Sequence, residues 1–241
     1  MPEEVILSVD MDWFCREEPD WDWGHSETNP MLMSDVIWLT RYQSLDLYAE
    51  TDLDKYADLW PHMLLAKLRS FGFMIDKNTS IGASWTHADA LAFFKETSWR
   101  GRKLFNFDAH HDLFNRDEKV DCGNWVWHVM RSGYVREACW VLPKWLSPMA
   151  YDKPVATVKR AGLADLFQSP RVHVESIFIA QSPAWVPPHF DKHFEHLCRQ
   201  LMNLCKKPMW GGKFVQRTAP SREEAQEMLK QWEKLRKEMM A

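Results

Sequence analysis

Leu104 to Phe107 is an apolar run that leads directly into Asp108-Ala109-His110-His111-Asp112. Side chains along a strand alternate between its two faces, so Asp108, His110 and Asp112 are expected to point the same way near the end of a buried strand. Two carboxylates and an imidazole converging at one point repel one another and lose hydration. A bound cation removes both penalties. Helix N-capping, which Asp often performs after a strand, would account for one such acid but not for the set.

A second stretch repeats the pattern. Val5-Ile6-Leu7-Ser8-Val9 reads as a buried strand within residues 5–14, and it carries Asp10-Met11-Asp12, two acids expected to share a face. Thr79 to Trp85 is a third short strand. Thr86 can cap a helix running to about Glu96, which places His87 at a strand-to-helix junction. Asp10, Asp12, His87, Asp108, His110 and Asp112 are therefore the candidate metal ligands.

The remaining chain supplies the frame. Residues 15–30 form a loop with two Trp, His25 and five acids, Asp20 and Glu27 among them. A loop after a metal-bearing strand is where a substrate site is built, and its charge suits a cation. Helices are expected over 31–44 and 53–70, the second with Leu53, Tyr56, Leu59, Trp60, Met63, Leu64 and Leu68 at helical spacing and Gly72 as its stop. Residues 74–78 read as a turn and 103–108 as the central strand. A helix opens at Cys122-Gly123-Asn124 and ends at Gly133. Ala138 to Leu142 is a strand, and 143–172 is irregular. Ser176 to Gln181 is a buried strand running into Ser182-Pro183-Ala184-Trp185. A helix from His189 to Cys205 carries the stripe Phe190, Phe194, Leu197 and Leu201. Residues 206–220 read as a loop. Ser221-Arg222-Glu223-Glu224 is a capping box before a charged final helix to about Met239. That helix leaves intramolecular packing and assembly into a homo-oligomer both open.

Apolar strands alternating with helices imply a mainly parallel sheet covered on both faces, a three-layer αβα fold in a single domain over 1–241. Ligands of such folds bind beyond the carboxyl ends of the strands, where all six candidate ligands map.

Composition excludes other classes. The chain has 241 residues, 46% hydrophobic, with a net charge of −4 and no long basic stretch, so no nucleic-acid partner is expected. No apolar run is long enough to span a membrane and the start does not resemble a signal peptide, which points to the cytoplasm. Five cysteines without a CxxC pair argue against a disulfide framework or zinc knuckle. Of the 14 Trp, those beside the acidic motifs could line a pocket.

Hard oxygen donors mixed with imidazole, without thiolate, suit Mn²⁺, with Fe²⁺ or Co²⁺ as alternatives. Two divalent cations balance the four carboxylates. Two such ions, about 3.5–4 Å apart, can share a water and lower its pKa toward neutrality for hydrolytic attack. Asp12 or Asp108 could bridge them.

These motifs resemble the ureohydrolase (arginase, agmatinase) superfamily. Asp108-Ala109-His110-His111-Asp112 resembles its Asp-Ala-His-x-Asp motif, Ser8-Val9-Asp10-Met11-Asp12 its Ser-x-Asp-x-Asp motif, and His87 its single strand-end His. The order is permuted: the Ser-x-Asp-x-Asp strand comes last in arginases and first here. The Asp-Pro that usually follows it is replaced by Trp13-Phe14. The wording around Trp85 to Leu91, Phe107 to Leu113 and Ser182 to Trp185 resembles the divergent peptide-arginase group. The resemblance implies an arginase-like fold, two Mn²⁺ ions, and conversion of arginine side chains in a ribosomally made precursor peptide to ornithine and urea. Free arginine or agmatine is the alternative substrate, and a deacetylase-type amide hydrolase the alternative activity. His128, His25 and His111 are the candidate general acids. Glu27, Asp20, Asn124, Gln181 and Ser182 are the candidate substrate contacts, Asn124 through a segment similar to the family's Ser-Gly-Asn.

Overall fold

The structure is a computed structural model that describes residues 4–15, 37–39, 41–42, 61–114, 116, 119–146, 158–167, 170–214 and 216–239. Strands β1 (Glu4–Asp10), β2 (Phe73–Met74), β3 (Ser80–Ser84), β4 (Arg102–Phe107), β5 (Val135–Leu142), β6 (Val158–Gly162), β7 (Val172–Ala180) and β8 (Trp210–Lys213) form one sheet. Its order is β6-β5-β4-β1-β7-β3-β8, with β2 paired to β7, and every pairing is parallel. The helices are α1 (Leu64–Ser70), α2 (Ala90–Thr97), α3 (Trp125–Arg131), α4 (Asp191–Cys205) and α5 (Arg222–Met239).

The two-residue period of the strands separates two apolar layers. Val5, Leu7, Val9, Phe105, Phe107, Ile177 and Ile179 pack with Leu64 and Leu68 of α1 and Phe194, Leu197 and Leu201 of α4. Ile6, Leu104 and Phe178 pack on the other side with Phe93 and Phe94 of α2 and Trp125, Val126 and Val129 of α3. This is the expected αβα layering. Each fully buried aliphatic or Phe side chain contributes roughly 1.5–3 kcal/mol, so the two layers supply the main driving force. Gly82 lets α2 lie close, because a Cβ there would stand 2.6 Å from the Phe93 ring.

Several sequence expectations need correction. The first strand stops at Asp10 rather than continuing to residue 14, because Met11–Phe14 form a 3₁₀ turn that Asp10 caps. Residues 143–172 contain β6, an edge strand hidden by Lys159 and Arg160; charge is a common guard of sheet edges. The expected 206–220 loop contains β8. Its Gly211 has φ +80°, and a Cβ there would meet the Ala83 carbonyl oxygen at 2.7 Å. The turn placed at 74–78 begins one residue after β2 starts. Met63 is exposed rather than part of the buried stripe, while Leu65 is buried with Leu64 and Leu68. The expected helix over 31–44 is helical at 37–39 and 41–42, and 53–60 lies outside the described residues. Thr86 caps the turn before α2, Gly133 follows α3 at φ +77°, and Ser221 and Glu224 exchange the two capping-box hydrogen bonds.

Candidate metal centre

Asp10 ends β1, and its Oδ1 accepts the amide of Asp12 at 3.1 Å. Asp108 follows β4 in the same manner, its Oδ1 accepting the amide of His110 at 2.7 Å. Both are Asx turns. The spacing of two therefore reflects a side-chain-closed turn that lifts Asp12 and His110 over the carboxyl end of the sheet, and not the strand alternation expected from the sequence.

The ligands fall into two groups that share Asp108. In the inner group, His87 Nδ1 lies 3.0 Å from Asp10 Oδ2, 3.1 Å from Asp108 Oδ2 and 3.3 Å from Asp112 Oδ2. In the outer group, His110 Nδ1 lies 3.0 Å from Asp12 Oδ2 and 3.7 Å from Asp108 Oδ1. The donor atoms of Asp10, His87 and Asp108 lie within 4.8 Å of one another, as do those of Asp12, Asp108 and His110. Either group could hold a metal ion, and Asp108 offers one oxygen to each.

Each carboxylate also receives a donor from the fold. Ser182 Oγ donates to Asp10 at 2.6 Å, the Ala109 amide to Asp12 at 3.2 Å, Asn106 Nδ2 to Asp108 at 3.1 Å, and the Trp125 indole to Asp112 at 2.5 Å. The Trp140 indole holds the Asp108 carbonyl at 2.8 Å. Ser8 Oγ lies 2.6 Å from His87 Nε2, which leaves Nδ1 facing the carboxylates. Partners of this kind fix ligand orientation in metal sites. The His87 ring is flanked by Trp125 and Phe178, at centroid distances of 4.7 and 6.3 Å. Trp185 stands 5.0 Å from the His110 ring.

The electrostatics fit a cation. Burial, reinforced by Asp10 and Asp108, pushes the Asp12 carboxyl well above its usual range, and burial with Asp108 does the same to Asp112. Burial opposes the charged form of His87, but Asp10 and Asp108 outweigh it and drive its pKa well up. Burial likewise opposes charge on Asp108, yet His110 and His87 hold that carboxyl far below the ordinary range. In the protein alone, protons on this cluster supply positive charge that divalent ions would supply instead. Asp112 and Ser182 adopt left-handed backbone, φ 51° and 50°. Such strain costs on the order of 1–3 kcal/mol and concentrates at functional sites.

The other candidates sit as follows. His111 points away from the ligands; its Nδ1 accepts the Leu113 amide at 3.0 Å and its ring lies 4.1 Å from that of Phe114. Burial holds its pKa down, at about 4. His128 lies on α3, with Nε2 buried and without a hydrogen-bond partner among the described residues. Asn124 ties its own loop together, accepting from the Asp121 amide and donating to the Lys119 carbonyl. Gln181 is buried, and its backbone N–H donates to the Ser84 carbonyl. Ser182 touches Asp10 directly. Asp20, His25 and Glu27 lie outside the described residues.

Sequence reasoning missed the supporting roles of Ser8, Asn106, Trp125 and Trp140. The first two left a signal: each is a polar residue in an apolar run, two positions before a ligand Asp, and they are register partners across β1 and β4.

No protein-family model, curated protein or solved structure matches this chain. No helix among the described residues is long and apolar enough to cross a membrane.

Proposed function

We propose that this protein is a binuclear, manganese-dependent guanidino hydrolase of arginase type. Its substrate would be arginine side chains within a peptide, with ornithine and urea as products. The observation that carries the reading is the convergence of Asp10, Asp12, His87, Asp108, His110 and Asp112 from three strand ends into two groups sharing Asp108. A shared carboxylate favours two ions over the single ion a deacetylase-type site needs. The oxygen and imidazole donors favour Mn²⁺. The resemblance of the motifs to peptide arginases carries the choice of substrate.

Bound divalent ions would acidify water and make hydrolysis feasible near neutral pH. The chain's own residues would do the rest. Ser8, Asn106, Trp125 and Ser182 hold the ligands in place. Trp185, beside His110, would supply the π face for a planar cation such as guanidinium. The leaving amine must be protonated, by His128, His25 or His111. At about pKa 4, His111 is neutral at pH 7 and must gain a proton before giving one.

The test is urea release by Mn²⁺-loaded protein, with free L-arginine and an arginine-containing peptide offered side by side. An Asp10→Asn/Asp108→Asn variant is the control. Urea from the peptide alone, lost in the control, supports the reading. Urea from free arginine makes the protein a conventional arginase with permuted motifs. Two ions bound but no urea from either substrate removes the guanidine assignment.

A further inference from the structure

Strand β7 ends at Ala180, and the chain then turns through Ser182-Pro183-Ala184-Trp185. This turn touches both ligand groups. Ser182 Oγ donates to Asp10 of the inner group, and the Trp185 ring lies beside His110 of the outer group. The turn closes through the Ser182 carbonyl, which accepts the amides of Trp185 at 2.9 Å and Val186 at 3.0 Å. Pro183 and Ala184 are buried as well, and buried carbonyls require donors.

Those donors come from two segments that carry none of the six ligands. The Trp38 indole and Arg217 Nη1 both donate to the Pro183 carbonyl at 2.6 Å, and Arg41 Nη1 donates to the Ala184 carbonyl at 2.6 Å. The donors are themselves fixed. The Arg217 side chain, 1% exposed, forks onto both Asp191 oxygens at 2.6 and 3.0 Å, at the start of α4. Trp38 and Arg41 are buried, with the guanidinium 4.8 Å from the indole centroid. Tyr42, next in the chain, is hydrogen-bonded to His189. Ser182 has left-handed backbone, φ 50°, a conformation that persists where its surroundings over-determine it. The three donors supply that constraint.

We propose that Trp38, Arg41 and Arg217 are positioning residues that act on the metal centre through this turn, holding Ser182 against Asp10 and Trp185 beside His110. The inference rests on the metal centre proposed above and not on its arginine substrate.

Hydrogen–deuterium exchange and Mn²⁺ titration calorimetry on the full chain test it. Arg217→Met/Asp191→Asn removes the fork without stranding a buried charge, and Trp38→Phe deletes one N–H. Both should speed exchange at residues 181–186 in the metal-free protein. Both should also weaken Mn²⁺ binding at one site about tenfold, the low end for partners of metal ligands. Leu201→Ala, in the core of α4 and compared at a temperature where every variant is folded, should do neither. With Ser182→Ala already present, Trp38→Phe should cost no further Mn²⁺ affinity, because effects that pass through a shared partner are not additive. A wild type that binds no Mn²⁺ overturns the metal reading and this inference together. Four results overturn this inference alone: unchanged exchange at 181–186 in both variants, faster exchange with Mn²⁺ affinity intact, an equal loss of affinity in Leu201→Ala, or additive losses with Ser182→Ala.

Discussion

The two halves of the ligand cluster share Asp108 but differ in surroundings. The inner half is enclosed: the His87 side chain is 1% exposed, faces three carboxylates and packs against Trp125 and Phe178. The outer half is more open: the His110 side chain is 13% exposed and its neighbour is Trp185. Enclosure fixes geometry but excludes substrate, whereas partial exposure admits it. In the proposed metal centre the inner group would thus be the anchor and the outer group the side open to a substrate.

The largest expected effect removes the distinction. Asp108→Asn withdraws a donor from both halves, so both ions should be lost. Metal content by elemental analysis should fall from two per chain to less than one. Affinity should drop by more than about 100-fold, beyond the range for outer-shell partners. Two ions retained in this variant would show that Asp108 is not shared.

Next, His87→Ala and His110→Ala should part company. His87 sits inside a buried charged group, and breaking such a group costs roughly 3–5 kcal/mol, so His87→Ala should lower metal-free stability markedly in a urea titration. His110→Ala should cost clearly less stability while abolishing the urea release proposed above. Equal stability losses would erase the inner–outer contrast.

pH sharpens the same contrast. His87 has a folded-state pKa raised above its unfolded value. Its stabilising contribution is therefore complete below about 6.5 and disappears as pH climbs through the raised value. Asp12 and Asp112 are also raised, so the folded protein binds their protons more tightly and loses stability as pH rises above about 4. Asp108 acts oppositely, and only at more acid pH. Metal-free protein should accordingly melt at a higher temperature at pH 6 than at pH 8.5. A divalent ion bound there would displace these protons, so the stabilisation by Mn²⁺ on the proposed reading should grow with pH. A metal-free melting temperature that increases from pH 6 to 8.5 would contradict this electrostatic picture.

Much of this architecture is visible in the sequence. The apolar runs of β1, β4 and β7 mark the parallel core because strands buried on both faces read as continuous hydrophobic stretches. The ligand Asp and His residues stand out because they terminate those runs. The edges are not visible: among the described residues β6 pairs on one side only, and it carries Lys159 and Arg160, while β8 contains two glycines. The turns that shape the site are hidden for another reason. Asp-x-Asp and Asp-x-His suit strand alternation and an Asx turn equally well, and only the Asp10 and Asp108 hydrogen bonds to the amide two residues on distinguish them. The Trp125 and Trp140 donors act across 13 and 32 residues of chain, a separation no local pattern encodes.

The smallest expected effect is the most selective. Ser8 and Asn106 stand side by side on β1 and β4, yet they serve different ligands. Among the described residues the Ser8 hydroxyl hydrogen-bonds the inner His87, whereas Asn106 holds the Asp108 oxygen that faces the inner group. Outer-shell partners of metal ligands typically change affinity 10–100-fold, roughly. Ser8→Ala should weaken the inner ion within that range and leave the outer ion in place, because the Ser8 hydroxyl bonds His87 of the inner group. Electron paramagnetic resonance separates the outcomes: a coupled two-Mn²⁺ signal should give way to a mononuclear one as Mn²⁺ becomes limiting. Asn106→Ala should loosen Asp108 itself and so weaken both ions by a smaller factor. If Ser8→Ala weakens both ions equally, the halves are coupled through more than Asp108, and the anchor and the open side are one unit.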